Sequence, residues 1–154
     1  MKIRKAKKED ILSILKLVEK MVDFHYAIDK IYKPYKEYKE LEKYFKSLIN
    51  TKDNILVVVE NENKIIGFLE GGIEKASNDV MFDKIGTINN IFIEEKFRNK
   101  GIAKKLLKYI FEYFKSKNIE YIQISTDARN KVGKEFWKKN NFFEYQIKML
   151  RKLK

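Results

Sequence analysis

A glycine between a predicted strand and a predicted helix is the first feature of the sequence that could bind a ligand. Gly101 follows the apolar run 88–93 and a short turn, and the amphipathic stretch 104–117 begins soon after it. The first four N–H groups of a helix have no partner within it, and the aligned peptide dipoles place about half a positive charge there. Gly101 allows close approach to the backbone, and Arg98 and Lys100 add cationic donors. This spacing predicts a phosphate site.

The loop has one glycine, which separates it from two common phosphate-binding motifs. It matches neither G-x-x-x-x-G-K-[ST] nor the dinucleotide pattern G-x-G-x-x-G. Its own pattern is Arg98-x-x-Gly101-x-Ala103 after a strand. In that form it resembles the coenzyme A pyrophosphate loop of the GCN5-related N-acetyltransferases.

The resemblance continues towards the C-terminus. Asn130, the pair Phe136-Trp137 and the run 140–143 follow that family's closing pattern, although Asn141 replaces the usual glycine. The resemblance covers most of the chain in element order and is specific from about residue 87 to 143. It implies a domain that uses acetyl-CoA as cosubstrate.

The resemblance also implies roles for individual residues in coenzyme binding. The main chain of Ile91, Phe92 and Ile93 would hold the pantetheine arm, and one N–H would steady the thioester oxygen. The pyrophosphate would lie on the loop residues Arg98, Asn99, Lys100, Gly101, Ile102, Ala103 and Lys104. Asn130 matches an asparagine that contacts the coenzyme, and asparagine is also an ordinary helix N-cap. Trp137 would pack against the coenzyme.

Acetyl transfer to an amine requires a neutral nitrogen and therefore a route for a proton. A lysine-type amine has a pKa near 10.4, so a base or an ordered water must take that proton. Asn89 and Asn90 on the strand before the loop can hold a water, and Glu70 on the neighbouring strand is the predicted base. The alternative, equally open, is that Glu70 caps a strand end in solvent.

The thiolate of the departing coenzyme also needs a proton or a hydrogen-bond donor. Relatives frequently have a tyrosine where Trp137 stands, and an indole has no usable proton to give. Either the thiolate leaves with hydrogen bonding alone, or another phenol acts as the acid, for which Tyr145 is the candidate.

The connection between the first two helices is the predicted acceptor region. His25, Tyr26 and Asp29 cluster there with further tyrosines. Asp29 could pair with a cationic amine, and the aromatic rings could contribute cation–π attraction of about 0.5 to 2 kcal/mol. The alternatives are that His25 is simply packed and that the aromatic side chains form a folded lid.

Composition limits the other possibilities. The 154 residues are 44% hydrophobic, which suits one domain over residues 1–154. There is no cysteine and a single histidine, so thiolate metal sites and cysteine or Ser-His nucleophiles are disfavoured, and we expect no metal. The net charge of +12 comes from 34 basic and 22 acidic residues spread over the whole chain, which indicates a solvated surface more than a nucleic-acid site. Without an apolar stretch of about 18 residues, we expect a cytoplasmic protein and no membrane.

Periodicity predicts the order strand, two helices, three strands, helix, strand, helix, strand. The predicted helices begin near 11, 35, 101 and 130, and the predicted strands cover 1–6, 55–59, 64–73, 84–93, 121–126 and 142–153. These elements make an α/β (α+β) domain. The resemblance implies an acyl-CoA N-acyltransferase fold, with a mostly antiparallel mixed sheet, a parallel and splayed pair of fourth and fifth strands, and helices on both faces.

The sequence therefore predicts an acetyl-CoA-dependent N-acetyltransferase in which an amine attacks directly within a ternary complex. The acceptor, a small-molecule amine or a peptide or protein amine, is left open, and so is a homodimer. The rival hypotheses are a non-catalytic acyl-CoA-binding module and, on net charge alone, a nucleic-acid-binding module.

Overall fold

A computed structural model describes residues 1–153. The strands are β1 (Lys2–Lys5), β2 (Asn54–Asn61), β3 (Lys64–Lys75), β4 (Lys84–Ile93) and β5 (Ile122–Ile124). The helices are α1 (Ile11–Ile28), α2 (Leu41–Ser47), α3 (Ile102–Ser116) and α4 (Lys131–Lys139). No helix in residues 1–153 is long and apolar enough to cross a membrane.

The five strands form one sheet in the order β1-β2-β3-β4-β5. The first three pairs are antiparallel and β4 pairs with β5 in parallel. Glu62 and Asn63 join β2 to β3 and have φ values of 49° and 61°, the left-handed backbone that a two-residue hairpin turn requires. The parallel pairing extends only from Gly86–Ile122 to Ile88–Ile124, whereas β4 continues to Ile93. The predicted splayed pair is therefore confirmed.

The sheet has an apolar layer on each face. Alternate side chains of the buried strands, such as Val58 and Phe68, pack with α1 and α2, while their neighbours Val57 and Leu69 pack with α3 and α4. A side chain at Gly71 would put its Cβ 2.4 Å from Ile110 Cδ1, so glycine lets α3 lie directly on the sheet. The predicted helices on both faces are confirmed.

The second predicted helix is partly wrong. In place of a continuous helix over 35–49, the structure has a single 3₁₀ turn at Tyr35–Glu37 and then α2 over seven residues. Tyr38 is extended between them, with φ −89° and ψ 110°. The apolar face of this helix begins only at Leu41, so nothing packs against residues 36–40 to hold them helical.

The predicted last strand is wrong as well. Residues 143–153 form neither a helix nor a strand and pair with no strand in the part of the chain that the structure describes. Phe142 still belongs to the core through contacts with Phe111 and Trp137. The chain therefore leaves the domain directly after Phe142.

Candidate functional site

The strands β4 and β5 pair only as far as Ile88 and Ile124, and we call the open side of β4 beyond that point the cleft. Glu94 N–H donates to Ile66 C=O of β3, and main-chain groups point to opposite sides of a strand at successive residues. The N–H and C=O groups of Ile91 and Ile93 therefore face the β5 side, where no described strand pairs with them. Phe92 lies opposite Phe68, so its main chain faces β3 and not the cleft. The prediction that Phe92 contributes main-chain donors here is wrong.

The start of α3 adds further unpaired donors close to the end of β4. The first hydrogen bond of this helix runs from Lys105 N–H to Gly101 C=O at 3.2 Å. The N–H groups of Ile102, Ala103 and Lys104 precede that bond, and no side chain of the described residues caps them. Such donors carry the positive end of the helix dipole.

The loop before α3 keeps its backbone accessible. Asn99 and Gly101 have φ values of 60° and 73°, in the left-handed region. A Cβ added to Gly101 would meet no other atom within 4 Å. The glycine is thus needed for its backbone conformation, and the space in front of it is free for a ligand to approach the N–H groups.

The charges around this loop are positive. Arg98 Nε donates to Ile93 C=O at 2.9 Å, and the guanidinium lies 5.4 Å from the ring centre of Phe92, so Arg98 links the end of β4 to the loop. Lys100 is exposed, and Lys104 in the first turn of α3 is exposed as well. No acidic residue lies in that first turn. Donors and cations of this kind fit a pyrophosphate.

Glu70 lies on β3, the strand that pairs with β4 on the side away from β5. Its side chain is completely buried on the α1 and α2 face of the sheet, which rules out the alternative of a strand-end cap in solvent. Asn90 Nδ2 donates to Glu70 Oε2 at 2.6 Å and Asn89 Nδ2 donates to Oε1 at 3.3 Å. Two neighbouring residues of one strand reach the same carboxylate because the register of β4 shifts by one residue at this point.

Sequence reasoning missed Tyr44 as a member of this cluster. Its hydroxyl, from α2, donates to Glu70 Oε1. Burial and the hydrogen bond to Glu70 raise the pKa of the Tyr44 phenol well above its usual range. Nothing in the local sequence connects Tyr44 to a residue 26 positions away, so only the folded structure reveals this contact.

Four side chains join the α1–α2 connection to the loop between β5 and α4. Arg129 forms ion pairs with Asp29 and with Asp127, the latter at 2.8 Å, and Tyr32 donates to Asp127 at 2.5 Å. The hydrogen bonds from Arg129 and Tyr32 hold the pKa of Asp127 well below its usual range. We call this group, residues 29, 32, 127 and 129, the clasp. It places the predicted acceptor region next to Asn130.

The predicted acceptor residues are already in contact with other groups of the chain. The carboxylate of Asp29 is paired with Arg129, and Lys30 Nζ lies 3.6 Å from the ring centre of Tyr26. His25 is half-buried, with its ring 5.7 Å from that of Tyr32. Burial lowers the pKa of His25, and the nearby charge of Asp127 opposes that shift. A cationic acceptor would therefore compete with Arg129 for Asp29.

The C-terminal candidates lie in three different environments. Asn130 accepts a hydrogen bond from Gly133 N–H at 2.9 Å and so serves as the N-cap of α4. Trp137 is 8% exposed and packs edge-on against Phe136 and Phe142, so its indole belongs to the core. Tyr145 lies in the unpaired C-terminal segment with 62% of its surface exposed. The structure does not bring Tyr145 into contact with the Glu70 cluster.

Comparison with known proteins agrees with this geometry. Residues 25–142 match the model of the Acetyltransferase (GNAT) family. An uncharacterized N-acetyltransferase of Methanocaldococcus jannaschii is 29% identical over 145 residues, which are 94% of this chain and 62% of that protein. This chain thus spans less than two thirds of that relative's length.

Solved structures of other proteins share the fold. A Bacillus halodurans protein, solved as a tetramutant, superimposes with a TM-score of 0.88 at 18% identity over 99% of this chain and 100% of its own. The aminoglycoside N-acetyltransferase AAC(6')-Iy in complex with CoA gives a TM-score of 0.80 at 17% identity over 99% of this chain and 94% of its own. Given the family-model match over most of its length, the chain belongs to the Acetyltransferase (GNAT) family.

Proposed function

We propose that this protein is an acetyl-CoA-dependent N-acetyltransferase that acetylates a primary amine by direct attack within a ternary complex. The observation that carries the proposal is the continuity of unpaired backbone donors from the open side of β4 to the first turn of α3. Family membership and a CoA complex of a fold neighbour support it. Acetyl-CoA, when bound, supplies the acetyl group as a thioester.

The two ends of this donor series suit two parts of the coenzyme. The main chain of Ile91 and Ile93 would bind the pantetheine arm by adding to the free side of β4. Ile102, Ala103 and Lys104 would donate N–H groups to the pyrophosphate, and Arg98 and Lys100 would supply charge. Asn130, which already caps α4, would contact the coenzyme through its free side-chain groups.

Glu70 would accept the proton of the attacking amine. A completely buried carboxylate does not contact the acceptor directly, so the proton must pass through a water or through the Tyr44 hydroxyl, which donates a hydrogen bond to Glu70 and belongs to a residue that is 44% exposed. Asn89 and Asn90 would hold the carboxylate in place. Because residue 137 is a tryptophan and has no phenol to protonate the thiolate, the thiolate would leave with hydrogen bonding alone.

The acceptor would be a cationic amine. Asp29 and Asp127 offer two carboxylates at the predicted acceptor region, and the single Arg129 that pairs with both balances only one of the two negative charges. One similar structure is an aminoglycoside N-acetyltransferase by name, which is consistent with a small polycationic acceptor. A peptide α-amine remains the alternative to be tested beside it.

The experiment is a thiol-release assay with acetyl-CoA and a panel of polyamines, aminoglycosides, amino acids and short peptides. Glu70→Gln should lower kcat by about 10² to 10⁴-fold, the usual contribution of a general base. Glu74→Gln, on the exposed end of the same strand, is the matched control and should keep wild-type activity. CoA-dependent thermal stabilisation, measured on all three proteins, shows whether the variants still fold and bind.

The outcomes separate the hypotheses. Thiol release that Glu70→Gln abolishes and Glu74→Gln preserves supports the proposal. Stabilisation by acetyl-CoA without release for any amine selects the non-catalytic acyl-CoA-binding module, which the absence of a tyrosine at Trp137 favours. No stabilisation by acetyl-CoA refutes the proposed site.

A further inference from the structure

The carboxylate of Glu70 receives hydrogen bonds from three donors. Tyr44 Oη and Asn89 Nδ2 donate to Oε1, and Asn90 Nδ2 donates to Oε2 at 2.6 Å. An ionised carboxylate only accepts hydrogen bonds, so each partner has to turn its N–H or O–H group towards Glu70. Burial and the hydrogen bond to Glu70 raise the pKa of the Tyr44 phenol, so the phenol keeps the proton that it donates. The buried anion therefore fixes the orientation of all three side chains.

The same orientation leaves two acceptor oxygens free. Tyr44 Oη and Asn89 Nδ2 are bonded to the same carboxylate oxygen, so these two side chains lie next to each other. The carbonyl Oδ1 of Asn89 is at the other end of its amide, and a hydroxyl oxygen that donates one hydrogen bond can still accept others. No group within residues 1–153 donates to either oxygen, and both residues are exposed. They can therefore accept hydrogen bonds from a ligand.

The position of Asn89 on β4 brings these oxygens to the proposed coenzyme site. The pairing of β3 with β4 skips Asn89, which is the extra residue of a β-bulge, and a bulge re-aims the side chain that it carries. Ile91, whose main chain would begin the contact with the pantetheine arm, is two residues further along the strand. Because a strand advances about 3.3 Å per residue, only about 7 Å of strand separates the two residues.

We propose that Tyr44 Oη and Asn89 Oδ1 bind the acceptor nitrogen and select a primary amine. A neutral primary amine has two N–H groups, one for each oxygen, and its lone pair is then directed away from both, which suits attack on a thioester. A secondary amine has one N–H group and leaves one oxygen without a partner. The inference rests on the proposed function and adds the two side chains that contact the reacting nitrogen.

The proton leaves through Tyr44 and not through a water. As the nitrogen attacks the thioester carbon, one N–H bond breaks and its proton passes to Tyr44 Oη, while the proton of the phenol passes to Glu70 Oε1. The phenol is neutral before and after the step, Glu70 gains one proton, and the electron pair of the C–S bond stays with the departing sulfur. Asn89 Oδ1 keeps its hydrogen bond to the second N–H, which remains in the amide product.

Tyr44→Phe removes only the hydroxyl and tests the proton path. In the thiol-release assay its kcat should fall about 10²- to 10⁴-fold, as expected for Glu70→Gln. The double variant should be no slower than the slower single variant, because both changes interrupt one path. Tyr121→Phe, at an exposed tyrosine directly before β5, is the matched control and should keep the wild-type kcat. Thermal stabilisation by CoA shows that each variant folds and binds.

Asn89→Ala tests the selection of the amine. The best primary amine of the panel is compared with its N-methyl analogue, and wild-type kcat/KM should favour the primary amine about tenfold, the usual effect of one lost hydrogen bond. In Asn89→Ala this preference should fall to about twofold, while the KM for acetyl-CoA stays unchanged. Asn78→Ala, at an exposed position of the loop between β3 and β4, should keep the wild-type preference.

The results distinguish this inference from the proposed function. Thiol release with no amine of the panel refutes the proposed function and this inference with it. Release that Glu70→Gln abolishes but Tyr44→Phe retains sends the proton through a water and overturns the inference alone. An unchanged preference for the primary amine in Asn89→Ala also overturns it and leaves the proposed function in place.

Discussion

Substitution of Gly101 tests the coenzyme loop most directly. The residue has a φ of 73° and open space at the Cβ position, so a side chain there meets backbone strain but no clash in the free protein. Left-handed backbone costs a non-glycine residue about 1 to 2 kcal/mol. At about 2 to 4 °C per kcal/mol for a chain of this length, Gly101→Glu should lower the Tm of the free protein by about 2 to 8 °C.

The CoA-dependent rise in Tm should differ more strongly between the wild-type protein and Gly101→Glu than the Tm of the free proteins does. At 100 times the dissociation constant, CoA stabilises the wild-type protein by about 2.7 kcal/mol, which is about 5 to 11 °C on the same scale. Gly101→Glu puts bulk and negative charge where the pyrophosphate would approach the N–H groups, so this shift should disappear. Gly101→Gln has the same bulk without the charge and should retain a weak shift.

The matched control lies at the other end of the same helix. Asn118 also has left-handed backbone, with a φ of 56°, and is exposed. Asn118→Glu therefore imposes similar strain and the same charge, yet should keep the full CoA shift in differential scanning fluorimetry. If Gly101→Glu kept that shift while its own Tm fell, the phosphates would bind elsewhere and the reasoning about this loop would be refuted.

Three further outcomes are expected. Hydrogen bonds from Arg4 are the largest cause of a lowered pKa at Asp10, so this carboxylate contributes stability above its unfolded pKa of about 3.9 and loses it as the pH falls through its lower folded pKa. Urea unfolding of Asp10→Asn should show a loss of about 2 kcal/mol at pH 7 and a smaller acid dependence between pH 5 and 2. Trp137→Phe should keep CoA affinity and most of the turnover, whereas Trp137→Ala should lose about 3 to 5 kcal/mol in the same unfolding experiment. For lysine-type acceptors, kcat/KM should rise about tenfold per pH unit between pH 7 and 9, because only the neutral amine attacks; a flat profile would contradict direct attack.

The sequence predicted the parts of the fold that depend on local patterns. The strands predicted at 55–59 and 64–73 and the amphipathic helix after Gly101 all follow from neighbouring residues, and the structure contains them as β2, β3 and α3. The second helix was predicted too long because its residues 36–40 have nothing to pack against. The last strand, predicted over residues 142–153, is absent because a strand also needs a neighbouring strand to pair with, and no strand of the described residues pairs with this segment.

The two halves of the candidate site also differ in how far the local sequence determines them. The coenzyme half consists of backbone groups whose exposure follows from one short segment, the end of β4 and the loop around Gly101, so a local motif could reveal it. The other half consists of side chains brought together from distant positions, since Tyr44 reaches Glu70 across 26 residues and Arg129 reaches Asp29 across 100. Only the folded sheet creates those contacts. If the clasp lines the proposed acceptor site, its side chains can change the choice of acceptor while the backbone that would hold the coenzyme stays the same.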